Sequence, residues 1–173
     1  LGRHQPGTRL VIVPIGQAQQ QIAIATDPEI RVVLYRRLMM RIAETIAERE
    51  GAKAIVTGES LGQVSSQTLD NLRAISAAVT LPILRPLIGF DKEEILVEAK
   101  RIGTEPISRV PDDDCCTVFV PRHPTTHATI EEAEAAEEPL DVKALVDSSL
   151  AQRTEYRGDP AKWNVMDALA GAA

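Results

Sequence analysis

Hydrophobic residues along the chain fall into short continuous runs, separated by longer stretches in which they recur at helical spacing. Three runs are rich in aliphatic residues, many of them β-branched, and are bounded by glycine or proline, which is typical of buried strands. These runs are Thr8–Ile15, Ala52–Gly58 and Leu81–Ile88. Prolines within the third run place that strand at the edge or the end of a sheet.

Helical spacing of apolar residues predicts a long helix that begins near Ile30. Gly51 follows the last periodic position, where a glycine commonly forms the C-terminal cap of a helix. The stretch before this helix, residues 17–30, is polar at first and has no clean period. A short helix and a turn both remain open for that stretch.

Two further helices are predicted from their capping residues. One follows Ser65 or Ser66, either of which is available as its N-cap. The other follows Asp91, which makes a capping pair with Glu94, and stops at Gly103. Up to that glycine the chain alternates strand and helix three times, which predicts βαβ units, a parallel sheet and an α/β fold.

The character of the sequence changes beyond Gly103. Residues 104–129 are loop-like, and an acidic, alanine-rich segment then predicts one or two helices packed on the sheet domain. One of them is amphipathic, and its inner face is predicted to consist of Leu145, Val146, Ser149 and Leu150. The last residues, 159–173, are expected to form a tail.

Composition narrows the function classes. The chain has 173 residues with a formal net charge of -6, which argues against a self-sufficient nucleic-acid binder because phosphate neutralisation needs a basic face. No apolar run approaches the roughly 20 residues of a membrane span, so no membrane partner is expected. Two adjacent cysteines cannot form a stapling disulfide framework, which favours a reducing, cytoplasmic location. The chain begins at Leu1, and we expect it to be a fragment of a longer protein.

Ligand chemistry is expected where the second strand ends in TGESLGQVSSQ. Ligands of parallel α/β sheets bind beyond the carboxyl ends of the strands, where helix N-termini also converge. Gly58 and Gly62 let the backbone approach a ligand, and Gln63 and Gln67 offer amide groups. A nucleotide site and an ordinary turn that uses glycine for tightness both remain open, because isolated glycines are weak indicators.

Three arginines on the long helix are a second candidate feature. Arg37 and Arg41 share one helix face, whereas Arg36 is rotated by about 100° from Arg37 and is expected to point toward the same loops. Phosphate binding is one interpretation. The alternative is that the arginines are solvated or paired with acids such as Glu44 and Glu48.

The only two cysteines of the chain, Cys115 and Cys116, follow directly behind three aspartates, Asp112–Asp114. Neighbouring carboxylates raise the pKa of a thiol and disfavour the reactive thiolate. The cysteines are therefore either inert or activated by groups outside the aspartates. The candidates for activation are Arg109, Arg122, His123, a helix N-terminus or a sulfur donor.

Four stretches taken together carry a family resemblance. They are residues 35–72, which include GESLGQVSSQTL, residues 81–95 (LPILRPLIGFDKEEI), residues 102–108 (IGTEPIS) and residues 112–126 (DDDCCTVFVPRHPTT). In this order and spacing they resemble the ATP-pyrophosphatase domain of the tRNA 4-thiouridine synthetase family (ThiI). The resemblance spans roughly residues 8–156.

The resemblance implies a Rossmann-like parallel sheet of the adenine nucleotide alpha hydrolase type, partial in this chain, with a C-terminal loop and a helical tail. It divides the chain into a partial pyrophosphatase domain (8–110), the cysteine loop and C-terminal helices of the same domain (111–158), and a tail (159–173). A homodimer is one arrangement that it leaves open.

The resemblance also implies a reaction on uridine 8 of tRNA. ATP, with magnesium expected beside it, adenylates the uridine O4, and a sulfur nucleophile then displaces AMP. The sulfur comes from a persulfide made by a cysteine desulfurase. Family members are further linked to sulfur delivery for the thiazole ring of thiamine.

Transferred position by position, the ATP contacts of the family fall on Arg36, Gly58 and Gln67. Cys116 corresponds to the reactive cysteine of the domain, which in the family forms a disulfide with a cysteine on a separate rhodanese domain. Cys115 has no such counterpart and is expected to play a secondary or structural role.

The sequence departs from the family in one large respect. The phosphate-binding loop of the family, S-G-G-x-D-S, occurs nowhere in these residues. The modules with which the family holds tRNA are also not found in them. The chain alone is therefore expected to be inactive. Two alternatives stay open, namely a non-catalytic module that docks a partner or dimerises, and a related tRNA-modifying pyrophosphatase such as a 2-thiouridylase or a lysidine synthetase.

Overall fold

A computed structural model of the chain describes residues 7–110, 121 and 123–157. The predicted reactive cysteine Cys116, its neighbour Cys115 and the predicted tail lie outside the described residues. The described part is a helix-rich α/β unit with two small sheets. The predicted α/β class is thus confirmed, with the Rossmann-like character only partial.

Seven α-helices and four strands are assigned along the described residues. The strands are β1 (Leu10–Ile12), β2 (Ile55–Val56), β3 (Ile83–Leu84) and β4 (Thr154–Tyr156). The helices are α1 (Gly16–Ala25), α2 (Arg31–Arg49), α3 (Leu69–Ser76), α4 (Lys92–Arg101), α5 (Glu105–Ser108), α6 (Ile130–Glu137) and α7 (Val142–Ala151). Short 3-10 turns occupy Pro28–Ile30 and Ser65–Gln67.

Helix α2 is the centre of the unit and confirms the strongest periodic prediction. It packs against α1, α3, α6, α7 and β2. Val33, Leu34, Tyr35 and Leu38 are all buried on it. A helix surrounded in this way buries apolar residues around most of its circumference, and for that reason its polar positions also become structural.

The predicted parallel pairing is confirmed for the second and third strands. Ile55 pairs with Ile83, and Val56 pairs with Leu84. The second strand, predicted to be buried, is buried only in part, because Ile55 is buried whereas Val56 is 65% exposed. Successive strand residues point to opposite faces, and only one face of this pair is packed by described residues.

The first predicted strand does not join the parallel sheet. Strand β1 pairs antiparallel with β4, in the register Leu10 with Tyr156 and Ile12 with Thr154. The sequence pattern places residues 154–156 in the segment of the C-terminal helices and predicts no strand there. A three-residue strand carries almost no periodic pattern of its own, so its pairing comes from tertiary contacts.

Three helix ends follow the sequence rules, whereas one does not. Gly51 and Gly103 have φ of 68° and 76°, a conformation that favours glycine, and end α2 and α4 as predicted. The capping box of Asp91 and Glu94 at the start of α4 is confirmed. Helix α3, however, is capped by Thr68 rather than by a serine, because the serines lie in a 3-10 turn before it.

The remaining elements resolve what the pattern left open. The stretch after the first strand contains α1, so the helix alternative is correct, and α5 is a short helix where a loop was predicted. The two predicted C-terminal helices are present as α6 and α7. The inner face of α7 is as predicted, with Leu145, Val146, Ser149 and Leu150 buried. Within the described ranges, no helix has both the length and the apolar character required to cross a bilayer.

Candidate functional site

The loops that follow β2 and β3 lie against each other at the carboxyl ends of the parallel strands. The Thr57 amide donates to the Leu84 carbonyl (3.0 Å), and the Leu61 amide donates to the Ile88 carbonyl (3.1 Å). The Ser60 hydroxyl donates to the Phe90 carbonyl at 2.6 Å. These contacts hold the GESLG segment at the sheet edge where ligands of parallel α/β folds bind. This segment begins the loop of residues 58–67, which is called the glycine loop below.

Gly58 and Gly62 differ in the reason for their lack of a side chain. Gly62 has φ of 75°, so its backbone conformation favours glycine, and its amide closes the turn on the Gln67 carbonyl at 2.9 Å. Gly58 is exposed, and a Cβ added there would meet nothing within 4 Å. Packing within the described residues therefore does not require a glycine at 58, whereas a ligand lying against the backbone would.

Glu59, the residue after Gly58, is the acid of this loop, and it is buried. Its side chain is only 4% exposed. One carboxylate oxygen, Oε2, accepts hydrogen bonds from Thr57 Oγ1 (2.9 Å) and Arg85 Nε (2.7 Å). Arg85 in turn donates through Nη2 to Ser76 Oγ on α3 at 2.9 Å. A carboxylate is thus fixed by three elements directly behind the glycine loop.

Arg36 reaches this loop from α2, as its predicted direction requires. Its Nη2 lies 3.4 Å from Glu59 Oε1, and the side chain is 18% exposed. Its Nε is buried and makes no hydrogen bond within the described residues. The structure therefore places Arg36 beside Glu59 and close to Gly58, with part of its donor capacity unused.

Arg36 and two residues of the loop carry buried polar atoms without hydrogen-bond partners among the described residues. Arg36 Nε, Glu59 Oε1 and Gln67 Oε1 all lack a hydrogen bond within the described residues. Buried polar groups in native proteins are almost always hydrogen-bonded, so such atoms mark strain, bound solvent or a ligand. The one donor among them, Arg36 Nε, suits a phosphate oxygen, and the amide oxygen of Gln67 suits a donor of a sugar or base edge. The three predicted ATP-binding positions fit a nucleotide on these grounds.

Arg37 and Arg41 do not face the glycine loop. Arg37 Nε and Nη2 donate to the two oxygens of Glu137 on α6 at 2.9 Å each. Arg41 donates to the same two oxygens at 2.6 and 2.8 Å. Pairing with acids is thus the correct interpretation for both arginines, although the acid is Glu137 rather than the nearby helix acids named from the sequence.

The electrostatics of Glu137 follow from this geometry. Burial raises the pKa of its carboxyl, but the hydrogen bonds and charges of Arg41 and Arg37 outweigh burial and bring the pKa below the ordinary value of 4.5. Glu44, one of the acids expected to pair with the arginines, instead accepts hydrogen bonds from the Thr80 and Leu81 amides at 2.6 and 2.8 Å.

Asn71 fastens the segment after the cysteines to the glycine loop. Its Nδ2 donates to the Ser65 carbonyl (2.7 Å) and to the Thr125 carbonyl (2.8 Å). Its Oδ1 accepts from the Ala128 amide at 2.9 Å, and the residue is fully buried. The segment downstream of the cysteine pair is therefore anchored beside α3. Of the expected activating groups, Arg109 pairs with Glu105, and His123 is exposed.

Sequence reasoning missed Glu59, Arg85 and Asn71. An acid immediately after a strand-terminal glycine is a signal for Glu59, since such a residue is placed at the sheet edge. Arg85 has the equivalent place one residue after β3. Asn71 lies in the first turn of α3 and carries no sequence signal for contacts with Thr125 and Ala128.

Two surface cavities lie away from the glycine loop. One of about 290 Å³ is lined in part by Asp70 and His127, and one of about 240 Å³ is lined in part by Arg9 and Glu155. In each, charged side chains already pair with one another. Among the described residues, no group of three or more His, Cys, Asp and Glu side chains is arranged to hold a metal ion.

Comparison with known proteins identifies relatives of the chain. A family model described as "Thiamine biosynthesis protein (ThiI)" matches residues 2–142. A probable tRNA sulfurtransferase of Thermus thermophilus is 52% identical over 88% of this chain and 38% of the relative. A probable tRNA sulfurtransferase of Nocardia farcinica is 47% identical over 89% of this chain and 38% of the relative.

Among solved structures, a 4-thiouridine synthetase in complex with RNA and bound ATP superposes with a TM-score of 0.83. It is 40% identical, and the match covers 88% of this chain and 40% of that protein. The chain thus spans about two fifths of the length of the proteins it matches. Because the family model covers most of the residues, the chain belongs to the ThiI family.

Proposed function

We propose that this chain is part of the ATP-pyrophosphatase domain of a tRNA sulfurtransferase that forms 4-thiouridine at uridine 8. The observation that carries the proposal is that Arg36, together with Glu59 and Gln67 on the loop of the exposed Gly58, has buried polar atoms without partners among the described residues. The loop lies at the carboxyl ends of two parallel strands, where nucleotides bind in α/β folds. The solved relative with bound ATP and RNA supports this assignment.

Charge favours an anionic ligand beside Arg36. Arg36 and Arg85 both face the single carboxylate of Glu59, so one positive charge of these three groups has no counterion among them. A phosphate group would supply that missing negative charge and accept a hydrogen bond from Arg36 Nε. We assign ATP binding to Arg36, Gly58 and Gln67, with Arg36 on phosphate and Gly58 leaving room for the nucleotide.

Sulfur transfer is assigned to Cys116, with a secondary role for Cys115. Adenylation of the uridine O4 releases pyrophosphate and makes the oxygen part of a good leaving group. The terminal sulfur of a cysteine persulfide then attacks the base carbon and AMP departs, which leaves the base joined to the donor cysteine through an S–S bond. The Cys116 thiolate attacks the donor sulfur of that bond, so 4-thiouridine is released and Cys116 forms a disulfide with the donor cysteine, which a dithiol reductant reopens. The persulfide comes from a cysteine desulfurase, and magnesium accompanies ATP. The proposal includes domain limits of 8–110 and 111–158 and the tail 159–173.

The broader roles of the family belong to the same proposal. Sulfur delivery to the thiamine thiazole uses the same persulfide and does not require adenylation of a tRNA base. Binding of tRNA is assigned to modules outside this chain, in agreement with its net charge of -6. Homodimer formation stays part of the proposal.

The first test uses the complete gene product with tRNA, ATP and a persulfide source. Cys116→Ser is expected to abolish 4-thiouridine, measured by mass spectrometry of digested tRNA, while pyrophosphate release continues. Cys115→Ser serves as the matched control and retains most of the product. Equal thiolation by wild type and Cys116→Ser would remove Cys116 from the mechanism, and no thiouridine from the intact wild-type protein would overturn the function.

A second test separates nucleotide binding from sulfur chemistry. Arg36→Ala removes a charged donor and is expected to raise the KM for ATP about 10- to 100-fold, as loss of a charge-assisted hydrogen bond does. Arg73→Ala is the matched control, because Arg73 is an exposed arginine on α3. An unchanged KM for ATP in Arg36→Ala would contradict the assignment of the site.

The alternative of a non-catalytic docking module makes the opposite prediction. A complete gene that encodes no S-G-G-x-D-S loop upstream of residue 1 favours the docking module, because the phosphate cradle is then missing from the whole protein. A gene that encodes the loop favours the enzyme.

A further inference from the structure

The two carboxylate oxygens of Glu59 differ in the number of hydrogen bonds that they accept. Oε2 accepts from both Thr57 Oγ1 at 2.9 Å and Arg85 Nε at 2.7 Å. Oε1 makes no hydrogen bond within the described residues and lies 3.4 Å from Arg36 Nη2. The carboxylate is therefore held rigidly from one side and faces Arg36 from the other.

Arg85 has the partners of a fixed counterion. Its Nε contacts Glu59, and its Nη2 donates to Ser76 Oγ, whose hydroxyl in turn donates to the Leu72 carbonyl. Strand β3 and helix α3 thus fix the position of the Glu59 carboxylate. Arg85 neutralises the carboxylate through a direct hydrogen bond, which leaves the charge of Arg36 without a dedicated partner.

The contact between Glu59 and Arg36 orients the guanidinium without occupying it. An ion pair at 3.4 Å exerts attraction at low solvent exposure, but it does not use the N–H groups in a short hydrogen bond. Arg36 Nε stays unpartnered within the described residues. A long arginine side chain that is oriented beforehand loses less conformational entropy when it binds a ligand.

We propose that Glu59 is a positioning residue of the nucleotide site, which orients Arg36 toward an anionic phosphate while Arg85 and Thr57 fix the carboxylate. This inference rests on the proposed function, because it takes Arg36 as a contact of ATP. It adds two residues, Glu59 and Arg85, that the sequence did not assign to the site. Glu59 acts through Arg36 and touches no reacting atom.

The test is Glu59→Gln in the complete gene product. A glutamine places an amide N–H₂ donor against either Arg36 or Arg85, so one guanidinium loses its acceptor and turns away. The KM for ATP is expected to rise about tenfold, with the KM for tRNA unchanged. The matched control is Glu93→Gln, the same charge change at an exposed acid in the first turn of α4.

A double-mutant cycle shows whether Glu59 acts through Arg36. In the Arg36→Ala background, Glu59→Gln is expected to change the KM for ATP by less than about twofold, because the group that it positions is gone. Full additivity of the two substitutions would overturn the proposal. Tighter ATP binding by Glu59→Gln would also overturn it, because a carboxylate that merely repels phosphate produces that result.

Two results keep the proposal testable if Glu59→Gln unfolds. Thr57→Val removes only one hydrogen bond to Oε2 and is expected to raise the KM for ATP about two- to threefold, again without effect in the Arg36→Ala background. Failure of Arg36→Ala to affect ATP refutes the proposed function itself. An effect of Arg36→Ala combined with none from Glu59→Gln and Thr57→Val refutes only the role of Glu59.

Discussion

Arg36 and Arg37 are consecutive residues of α2, and their guanidinium groups are in opposite hydrogen-bonding states. Every nitrogen of the Arg37 guanidinium has an acceptor, from Glu137 and the Ala74 carbonyl, and the side chain is 1% exposed. Arg36 has one long ion pair and an unpartnered Nε. A rotation of about 100° around one helix separates a completed structural contact from a group with binding capacity left.

The two acids show the same difference. Glu137 accepts four N–H donors from Arg37 and Arg41, so both of its oxygens are satisfied. Glu59 uses only Oε2 for hydrogen bonds and leaves Oε1 without one in the described residues. Both oxygens of Glu137 are thus satisfied within the fold, whereas Glu59 keeps hydrogen-bonding capacity that the described residues do not use.

Substitution of Arg37 is the strongest test of this comparison, because it is expected to cause the largest loss of stability. Arg37→Ala leaves the half-buried Glu137 with one partner fewer and is expected to lower the free energy of unfolding by about 3–5 kcal/mol. Urea denaturation followed by circular dichroism measures the loss. Arg73→Ala, at an exposed helix position, is the control and should stay within about 0.5 kcal/mol of wild type. Equal stability of the two variants would show that the Glu137 cluster is not structural.

The pH dependence of stability tests the Glu137 side of the comparison. Its folded-state pKa lies below the unfolded value near 4.5, so its contribution is present above that pH and is lost as pH falls through the folded pKa. Glu137→Gln is expected to lower stability at pH 7 by about 2–3 kcal/mol and to flatten the decline of stability that follows as pH falls through its lowered folded-state pKa. Parallel acid profiles of the variant and wild type would argue against the pairing.

Asn71 provides an intermediate case, because it is fully paired although it lies next to the candidate site. Asn71→Ala removes three hydrogen bonds and is expected to cost about 2 kcal/mol. Gln63→Ala, which truncates an exposed amide, is the control and should be close to neutral. Thermal unfolding of both variants checks the expectation, and an unaffected Asn71→Ala would mean that the segment near Thr125 is held by other contacts.

The smallest expected effect on stability is that of Arg36→Ala. Because Arg36 makes no short hydrogen bond in the described residues, its removal should change the free energy of unfolding by less than about 1 kcal/mol. The same urea titration measures this change. A stability loss as large as that of Arg37→Ala would erase the distinction between the two arginines.

Local rules predicted the parts of the fold whose causes are local. The helix α2, its glycine stop at Gly51 and the capping box at Asp91 all depend on residues within a few positions of one another. The pairing of β1 with β4 joins opposite ends of the described chain and was missed. Short strands carry little pattern, and their partners are chosen by tertiary packing.

The candidate site was predictable in its position and not in its details. The glycine loop after β2 and the direction of Arg36 followed from strand and helix geometry. The different hydrogen-bond pairing of Arg36 and Arg37 did not follow from local geometry, because the partner of Arg37 is Glu137, which is 100 positions away in the sequence. The contact of Glu59 with Arg85 likewise joins two strand ends and requires the register of β2 with β3.

The antiparallel pairing of β1 and β4 has a mechanical consequence. Leu10 is opposite Tyr156, so polypeptide entering before β1 and polypeptide leaving after β4 meet the unit at neighbouring points. A pulling force between the flanking segments would separate the residue pairs of β1 and β4 one after another before the force acted on the helices around α2. A short linker between the two ends, with new termini cut in an exposed loop, should accordingly give a circular permutant that folds.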